Sequence, residues 1–252
     1  MKGKISEVVF DIETLPCAPV SSDGGETLPL CGKPAGDPEE ALRLMSLTPL
    51  TARTVAIAML NPSTQRGKVW YEHPGAAPGK TGDGHLEVVP ATEEEMLAGF
   101  WSAVARYQRL ITFNGRSFDC PFLMLRSALL GVAPSRNLMP YRFSAREHCD
   151  LLDQLTFYGA VRKFSLESYC RGFGIDLPDG TGRRPDLSLL VTEGRYREIA
   201  EHAAGTVRAT GELYRLWQRL LSFCRDTDEP PSPLSGQEIC RGTLLQRFPT
   251  SK

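Results

Sequence analysis

Two acidic side chains, Asp11 and Glu13, follow a short apolar run near the start of the chain, which reads Val8-Val9-Phe10-Asp11-Ile12-Glu13-Thr14. The apolar run predicts a buried strand, and because side chains alternate along a strand, the two carboxylates share one face. Like charges at a desolvated strand end repel each other unless a cation lies between them. The pair therefore predicts a divalent-metal site, although two acids that simply begin a solvated loop would have the same sequence.

A third acid, Asp119, stands at a second junction between a strand and a helix. It ends the segment Asn114-Gly115-Arg116-Ser117-Phe118-Asp119, which follows the predicted strand Leu110–Phe113 and precedes an apolar helix. Taken alone, Asp119 could be a helix N-cap. If it reaches the same end of the sheet as Asp11 and Glu13, the three acids form the kind of carboxylate cluster that two-metal phosphodiester hydrolysis requires.

The elements that must position these acids are predicted from apolar periodicity. Strands are expected where apolar residues run continuously, and helices where they recur every three or four residues after a capping residue. The prediction is of strands at Thr54–Leu60, Lys68–Tyr71 and Leu110–Phe113, a surface loop over Pro74–Gly84, helices beginning at Asp37 and Thr92 and following Asp119 and Cys149, and a mostly helical stretch over 187–223. A meander followed by alternating strands and helices indicates an α/β fold with a mixed sheet.

The charge balance limits how the chain could meet a polyanion. Lys and Arg (29) nearly balance Asp and Glu (30), so a nucleic acid must be met by a local basic patch or by metal ions. Arg162-Lys163, Arg171 and Arg183-Arg184 are candidates for such a patch, or are ordinary solvated charges.

One domain is expected over residues 1–224, with an irregular Gly- and Pro-rich insertion at about 16–52 and a Pro-rich tail over 225–252. The seven cysteines form no CxxC pair, which favours reduced thiols. The sequence shows neither the apolar core of a signal peptide nor a run long enough to span a membrane, so we expect a cytoplasmic protein without membrane contact.

Two of these segments resemble known motifs. Phe-Asp-Ile-Glu-Thr-Leu-Pro at 10–16 is similar to the first motif of the DEDD exonucleases, which are ribonuclease H-like 3'-5' exonucleases, and Asn114 to Asp119 is similar to the second. The stretches at 150–153 and 163–167 further resemble a bacterial branch related to the proofreading exonuclease domain of family-B DNA polymerases. The similarity covers most of residues 5–222 and implies a ribonuclease H-like mixed sheet flanked by helices.

The resemblance implies roles for the matching residues. The residues implied to bind Mg2+ or Mn2+ are Asp11, Glu13 and Asp119. The residues implied to lie beside the terminal nucleotide or to line the same cleft are Thr14, Leu15, Asn114 and Phe118. Without the resemblance, the two apolar side chains in this second group would fit a core and the two polar ones a turn.

The third motif departs from the family pattern. In the branch that the chain resembles, a helix carries Tyr-x-x-x-Asp, whose Tyr orients the attacking water and whose Asp binds metal; here His202 and Thr206 stand at those positions. Residues four apart share a helix face, and a histidine can orient or deprotonate water. Thr206 is neutral, so the site lacks one carboxylate. The nearby acids that could replace it, or could simply serve as helix starts and solvated charges, are Asp150, Asp153, Asp186 and Glu201.

The sequence thus predicts a metal-dependent 3'-5' exonuclease that acts on a single-stranded 3' end of DNA or RNA. Its predicted catalytic residues are Asp11, Glu13, Asp119 and His202. Because Thr206 is not an acid, two other outcomes remain open: a slow enzyme that holds its ion weakly, or an inactive nucleic-acid-binding protein that keeps the fold. A phosphoesterase of small nucleotides would share the same carboxylates and is a third hypothesis.

Overall fold

The structure of the protein, a computed structural model, describes residues 5–17, 45–73, 75–177 and 185–222. The predicted helix start at Asp37, most of the predicted insertion at 16–52 and the tail at 225–252 lie outside these residues. The described part is built on one sheet with helices on both faces.

The sheet has seven strands in the order β4-β5-β3-β2-β1-β6-β7. The strands are β1 Glu7–Pro16, β2 Ala52–Leu60, β3 Gly67–Tyr71, β4 Gly79–Lys80, β5 Leu86–Pro90, β6 Arg109–Thr112 and β7 His148–Asp150. The pairs β1–β2, β2–β3 and β4–β5 are antiparallel, whereas β3–β5, β1–β6 and β6–β7 are parallel. The predicted meander of β1 to β3 and the predicted mixed sheet are both confirmed.

Six helices belong to the described residues: α1 Glu93–Val104, α2 Asp119–Leu129, α3 Leu151–Leu155, α4 Leu166–Phe173, α5 Leu187–Thr192 and α6 Tyr196–Leu220. The start of α1 is the capping box that the sequence indicated, in which the Thr92 hydroxyl accepts from Glu95 N and the Glu95 carboxylate accepts from Thr92 N. The stretch predicted as mostly helical divides into α5 and α6 because Gly194 adopts φ +71 between them.

Two apolar cores cover the two faces of the sheet. One lies under α6 and includes Val9, Leu60 and Tyr214; the other lies under α1 and α2 and includes Phe10 and Ile12. Because side chains of β1 alternate between these cores, Asp11 and Glu13 share the α6 face with Val9. The sequence prediction that the two acids share a face is confirmed.

A buried polar cluster fixes α6 across the first residues of β1 and β6. Glu7 Oε1 accepts hydrogen bonds from Arg109 Nη1 at 2.8 Å and from the Tyr214 hydroxyl at 2.5 Å. The Arg109 guanidinium also donates to the Tyr214 oxygen at 3.1 Å. These bonds join two strands to the long helix, so they fix where the rest of α6 passes over β1.

Some local expectations were wrong. The segment 74–84, predicted as a loop only, contains the two-residue strand β4, and neither β5 nor the three-residue β7 was predicted. Both are short, and their pairing depends on partners distant in sequence. No described helix is both long and apolar enough to cross a membrane.

Candidate active site

Asp119 reaches β1 through the backbone of the strand. The pairing of β1 with β6 covers Glu7 to Val9, and β1 continues beyond it to Pro16. Further along, the Ile12 N–H donates to Asp119 Oδ1 at 3.0 Å. Asp119 is the first residue of α2, whose N-cap is Phe118, so the N-cap alternative for Asp119 is wrong. The structure therefore brings the acid of the second motif next to the residue between Asp11 and Glu13.

The turn between β6 and α2 delivers Asp119 because it has the sequence Asn-Gly. Asn114 has φ +64, a left-handed conformation that asparagine tolerates better than most residues. A Cβ on Gly115 would lie 2.5 Å from Thr112 Cβ, so only glycine fits against the end of β6. Ser117 N then donates to Asn114 O at 3.0 Å and Cys120 N to Gly115 O at 2.8 Å, which lead the chain into α2.

Asp150 ties this turn to the end of β7. Its carboxylate accepts from Asn114 N at 2.9 Å and from Arg116 N at 2.8 Å, and it caps α3 by accepting from Leu152 N at 3.0 Å. Asp150 is 2% exposed. The helix-start interpretation of Asp150 is therefore confirmed, and the same carboxylate also fixes the backbone that carries Asp119.

His148 contacts the turn between β6 and α2 through Thr112 and Arg116. Its Nε2 lies 2.9 Å from Thr112 Oγ1, and its Nδ1 lies 3.2 Å from Arg116 Nη1 and 3.0 Å from the Leu138 carbonyl oxygen. Burial lowers the pKa of His148 to about 3, and the Arg116 charge acts in the same direction. The sequence analysis gave His148 and Arg116 no part in the site. Recognising β7 as a strand would have indicated that His148 lies beside β6.

Burial and neighbouring carboxylates raise the pKa of Asp119. Burial is the largest cause, and the charges of Asp150 and Glu13 add to it, so that the pKa lies at about 7 although the Ile12 N–H lowers it. An acid held among acids in a buried place gains from a cation. Glu13 and Asp150 thus both disfavour the charged form of Asp119, while the predicted repulsion between Asp11 and Glu13 stays a prediction.

The third motif also reaches β1. His202 Nε2 on α6 lies 3.5 Å from Glu13 Oε1, and both side chains are largely buried, with 12% and 4% exposed. Thr206, one turn later on α6, donates from Oγ1 to the His202 carbonyl oxygen at 3.2 Å. The helix therefore brings His202 to the site and offers no carboxylate at the Thr206 position.

The acids proposed as replacements for the missing one are engaged elsewhere. Asp153 forms a two-pronged ion pair with Arg142, at 2.6 and 3.0 Å. Asp186 caps α5 through Leu189 N at 3.0 Å. Glu201 bonds to Arg197 Nε at 3.1 Å and to Gly82 N at 3.2 Å. Asp150 alone among these four is near enough to Asp119 to raise its pKa.

The residues expected to contact a nucleotide differ in exposure. Thr14 is 2% exposed and donates to the Ser46 carbonyl oxygen at 2.7 Å, while Leu15 is 6% exposed in the core under α6. Asn114 and Phe118 are half-buried, and the Phe118 ring centroid lies 5.6 Å from that of Phe122. Asn114 and Phe118 are thus partly accessible as they stand, and substrate contact by all four residues stays a prediction.

Metal binding can be judged from the donors that the fold assembles. Within the described ranges, no three or more His, Cys, Asp or Glu side chains already have the spacing of metal ligands. The carboxylates that do converge supply the hard oxygen donors that Mg2+ and Mn2+ prefer. Burial first, and then the charges of Asp150 and Glu13, raise the pKa of Asp119, and a bound cation would favour its charged form, so the chemistry of these donors fits such an ion.

The fold, a mixed seven-stranded sheet flanked by helices, is similar to the ribonuclease H-like exonuclease domain of family-B DNA polymerases. A family model described as "Predicted 3'-5' exonuclease related to the exonuclease domain of PolB" matches residues 51–220, and the chain belongs to this family. The resemblance stated from the sequence is confirmed. Asp119 and His202 lie within the matched residues, and Asp11 and Glu13 precede them.

Two DNA polymerases are similar to this chain over part of their length. It is 30% identical over 91 residues to DNA polymerase 1 of Saccharolobus solfataricus, a match that covers 34% of this chain and 10% of that protein. Its fold is similar to the family B DNA polymerase from the hyperthermophilic archaeon Pyrobaculum calidifontis, with a TM-score of 0.53, 18% sequence identity, and coverage of 86% of this chain and 25% of that one. The chain spans a tenth and a quarter, respectively, of the length of these relatives.

Proposed function

We propose that this protein is a metal-dependent 3'-5' exonuclease that hydrolyses phosphodiester bonds at a single-stranded 3' end of DNA or RNA. The observation that carries the proposal is the convergence on β1: Asp119 reaches the Ile12 backbone at 3.0 Å, and His202 comes within 3.5 Å of Glu13. Three separate stretches of the chain thus meet at one strand, and the family to which the chain belongs supports nuclease chemistry there.

The proposed roles follow from residue chemistry. Asp11, Glu13 and Asp119 would hold Mg2+ or Mn2+, which supplies activation of water and stabilisation of the leaving oxygen in phosphodiester hydrolysis. His202 would orient the attacking water or accept its proton, because imidazole is a suitable base near neutral pH. The Glu13 carboxylate, 3.5 Å away, would fix the ring in place. Asn114 and Phe118 would line the path of the terminal nucleotide.

The test is a nuclease assay on single-stranded DNA and RNA labelled at the 5' end, with Mg2+ or Mn2+ and with EDTA. We expect a ladder of products that shorten from the 3' end. Asp11→Ala should lower the cleavage rate by at least about 100-fold, because a proposed metal ligand is lost. Glu94→Ala, an exposed acid of α1, is the matched control and should keep the wild-type rate. Cleavage that is indifferent to Asp11→Ala would refute the assignment.

A second candidate function is favoured by Thr206. A protein that kept the fold and lost the fourth acid would bind nucleic acid without cutting it. Oligonucleotide binding with no turnover in Mn2+ would support this alternative, whereas strong turnover in Mg2+ would exclude it. A phosphoesterase of small nucleotides is distinguished in the same assay by adding mononucleotide substrates, which that enzyme would hydrolyse in preference to oligonucleotides.

The proposed location is the cytoplasm. The four described cysteines, Cys17, Cys120, Cys149 and Cys170, are free thiols. Three of them are buried, which agrees with a reducing compartment in which disulfides are rare.

A further inference from the structure

Aromatic side chains that the fold does not bury cluster beside the candidate site. Tyr141 is 73% exposed and Phe143 60% exposed, and their ring centroids lie 5.8 Å apart. The Phe143 ring lies 4.9 Å from that of Tyr158. We call Tyr141, Phe143 and Tyr158 the aromatic ridge. Contiguous exposed rings of this kind are unusual on a monomer surface and indicate a binding role.

The aromatic ridge is attached to the turn that carries Asp119. The Arg116 guanidinium donates to the carbonyl oxygen of Pro140, next to Tyr141. A second row of rings reaches the same turn: Phe164, 50% exposed, lies 6.1 Å from the half-buried Tyr169, which lies 6.0 Å from Phe113, the neighbour of Asn114. Both sets of rings are therefore connected to the turn that carries Asp119.

The charge next to Phe164 is positive although the whole chain carries a net charge of −1. Residues 156–165 contain two basic side chains, Arg162 and Lys163, and no acidic one. Both basic residues are exposed. The Arg162 guanidinium lies 5.6 Å from the centroid of the Phe164 ring, a cation–π arrangement. Exposed rings interleaved with basic side chains are complementary to the bases and phosphates of a single strand.

The backbone under the ridge is held in an uncommon conformation. Phe157 and Tyr158 both have positive φ, +50 and +57, which is costly for residues with large side chains. Tyr158 N donates to Asp153 O at 2.7 Å, Gln154 Nε2 donates to the Tyr158 hydroxyl at 2.8 Å, and Arg142 pairs with Asp153. These bonds fix the ridge in place before any ligand arrives, and a preformed surface loses less entropy on binding.

We infer that the aromatic ridge, together with Phe164, is the stacking surface for the bases of the single strand upstream of its 3' end, with Arg162 and Lys163 on its phosphates. The inference rests on the proposed function for the identity of the ligand. Its physical basis is that every base has a π face, so stacking on tyrosine and phenylalanine is tolerant of sequence. Affinity should therefore rise with strand length beyond the terminal nucleotide.

The experiment measures binding of the full chain to fluorescent oligo-dT and oligo-U in EDTA, where hydrolysis does not contribute. Tyr141→Ala/Phe143→Ala should weaken binding at least about tenfold, as loss of base stacking does elsewhere. Tyr141→Phe/Phe143→Tyr keeps both rings and should bind within about twofold of the wild type. Leu125→Ala/Leu129→Ala removes two side chains of comparable exposure on α2 and is the matched control, with unchanged binding. Thermal unfolding of each variant checks that it folds.

The outcomes separate this inference from the proposed function. Ridge-dependent binding without any cleavage in Mn2+ would support the ridge and contradict the exonuclease. Cleavage from the 3' end with Tyr141→Ala/Phe143→Ala binding like the wild type would overturn the ridge and leave the exonuclease intact. Failure of the wild type to bind either oligonucleotide, or sedimentation that shows the ridge joining two copies of the chain with binding unaffected by its loss, would also overturn the inference.

Discussion

A single side chain, Thr206, leaves the helix of the third motif without a carboxylate at that position. Asp119 bonds to the Ile12 N–H and His202 lies beside Glu13, but the hydroxyl of Thr206 donates to the His202 carbonyl oxygen inside α6. A threonine hydroxyl carries no charge, so it contributes far less to holding Mg2+ than a carboxylate would. The acid that contributes to the raised pKa of Asp119, Asp150, already accepts from four backbone N–H groups of the turn and of α3.

Thr206→Asp should therefore raise metal affinity. We expect the Mn2+ concentration for half-maximal cleavage to fall about tenfold, and the melting temperature to rise more on Mn2+ addition than in the wild type. In EDTA the same variant should melt lower, because it adds another acid near Glu13. Thr192→Asp, which alters an exposed threonine with the same kind of intrahelical bond in α5, is the control. An unchanged response to Mn2+ would show that position 206 does not face the ion.

The turn between β6 and α2 shows how an element, rather than a residue, places the chemistry. The backbone N–H groups of Asn114 and Arg116 are bonded to Asp150, and the chain then leads to Asp119. The Thr112 side chain fills the space where a Cβ of residue 115 would be, and its hydroxyl in turn contacts His148.

Gly115→Ala should consequently disturb both the fold and the site. The new Cβ would meet Thr112 at 2.5 Å, so the turn must shift, with a loss of roughly 2 kcal/mol or more in the free energy of unfolding. Urea denaturation measures the loss, and nuclease rates below the melting temperature measure the displacement of Asp119. Gly172→Ala, a helical glycine of α4 with open space around it, should instead be neutral or slightly stabilising. Equal effects at both positions would contradict the packing argument.

The elements that sequence reasoning found are those with long apolar runs. β1, β2, β3 and β6 and the capped start of α1 were predicted because their own residues determine them. β4, β5 and β7 were missed because two to five residues carry little periodicity, and β7 in addition depends on pairing with β6, which is distant in sequence. The acids of the site were found by residue type and spacing, whereas the support from Arg116 and His148 depends on β7 and became visible only in three dimensions.

In the whole molecule, the first residues of β1 take part in a buried structural cluster, and the candidate site residues lie further along the same strand. The amino-terminal residues of the strand bind Arg109 and Tyr214 through Glu7, which anchors α6 and β6 in a buried polar cluster. The candidate site residues Asp11 and Glu13 follow on the same strand, after the pairing of β1 with β6 has ended at Val9. The long helix α6 takes part in both, since Tyr214 belongs to the anchor and His202 to the site.

The buried polar groups that hold this arrangement make the free energy of unfolding depend on pH. His148 lies where β6, β7 and the turn meet, and its pKa of about 3 in the folded protein is well below the value of 6.5 that it has when unfolded. As the pH falls below 6.5, the His148 imidazole becomes protonated in the unfolded chain, whereas in the folded protein it stays neutral until about pH 3. His148 therefore contributes stability that is fully present above pH 6.5 and is lost as the solution becomes more acidic.

His148→Gln should flatten the acid side of the stability profile. Glutamine can still bond to Thr112 and to the Leu138 carbonyl, so the variant is expected to fold, with lower stability at pH 8. Between pH 7 and pH 4 it should lose about 3 kcal/mol less than the wild type, measured by urea denaturation in EDTA at each pH. The raised pKa of Asp119 is common to both proteins and cancels in the comparison. His85→Gln, which removes an exposed histidine, should keep the wild-type slope. Parallel profiles for wild type and His148→Gln would mean that the buried imidazole is not what couples this fold to pH.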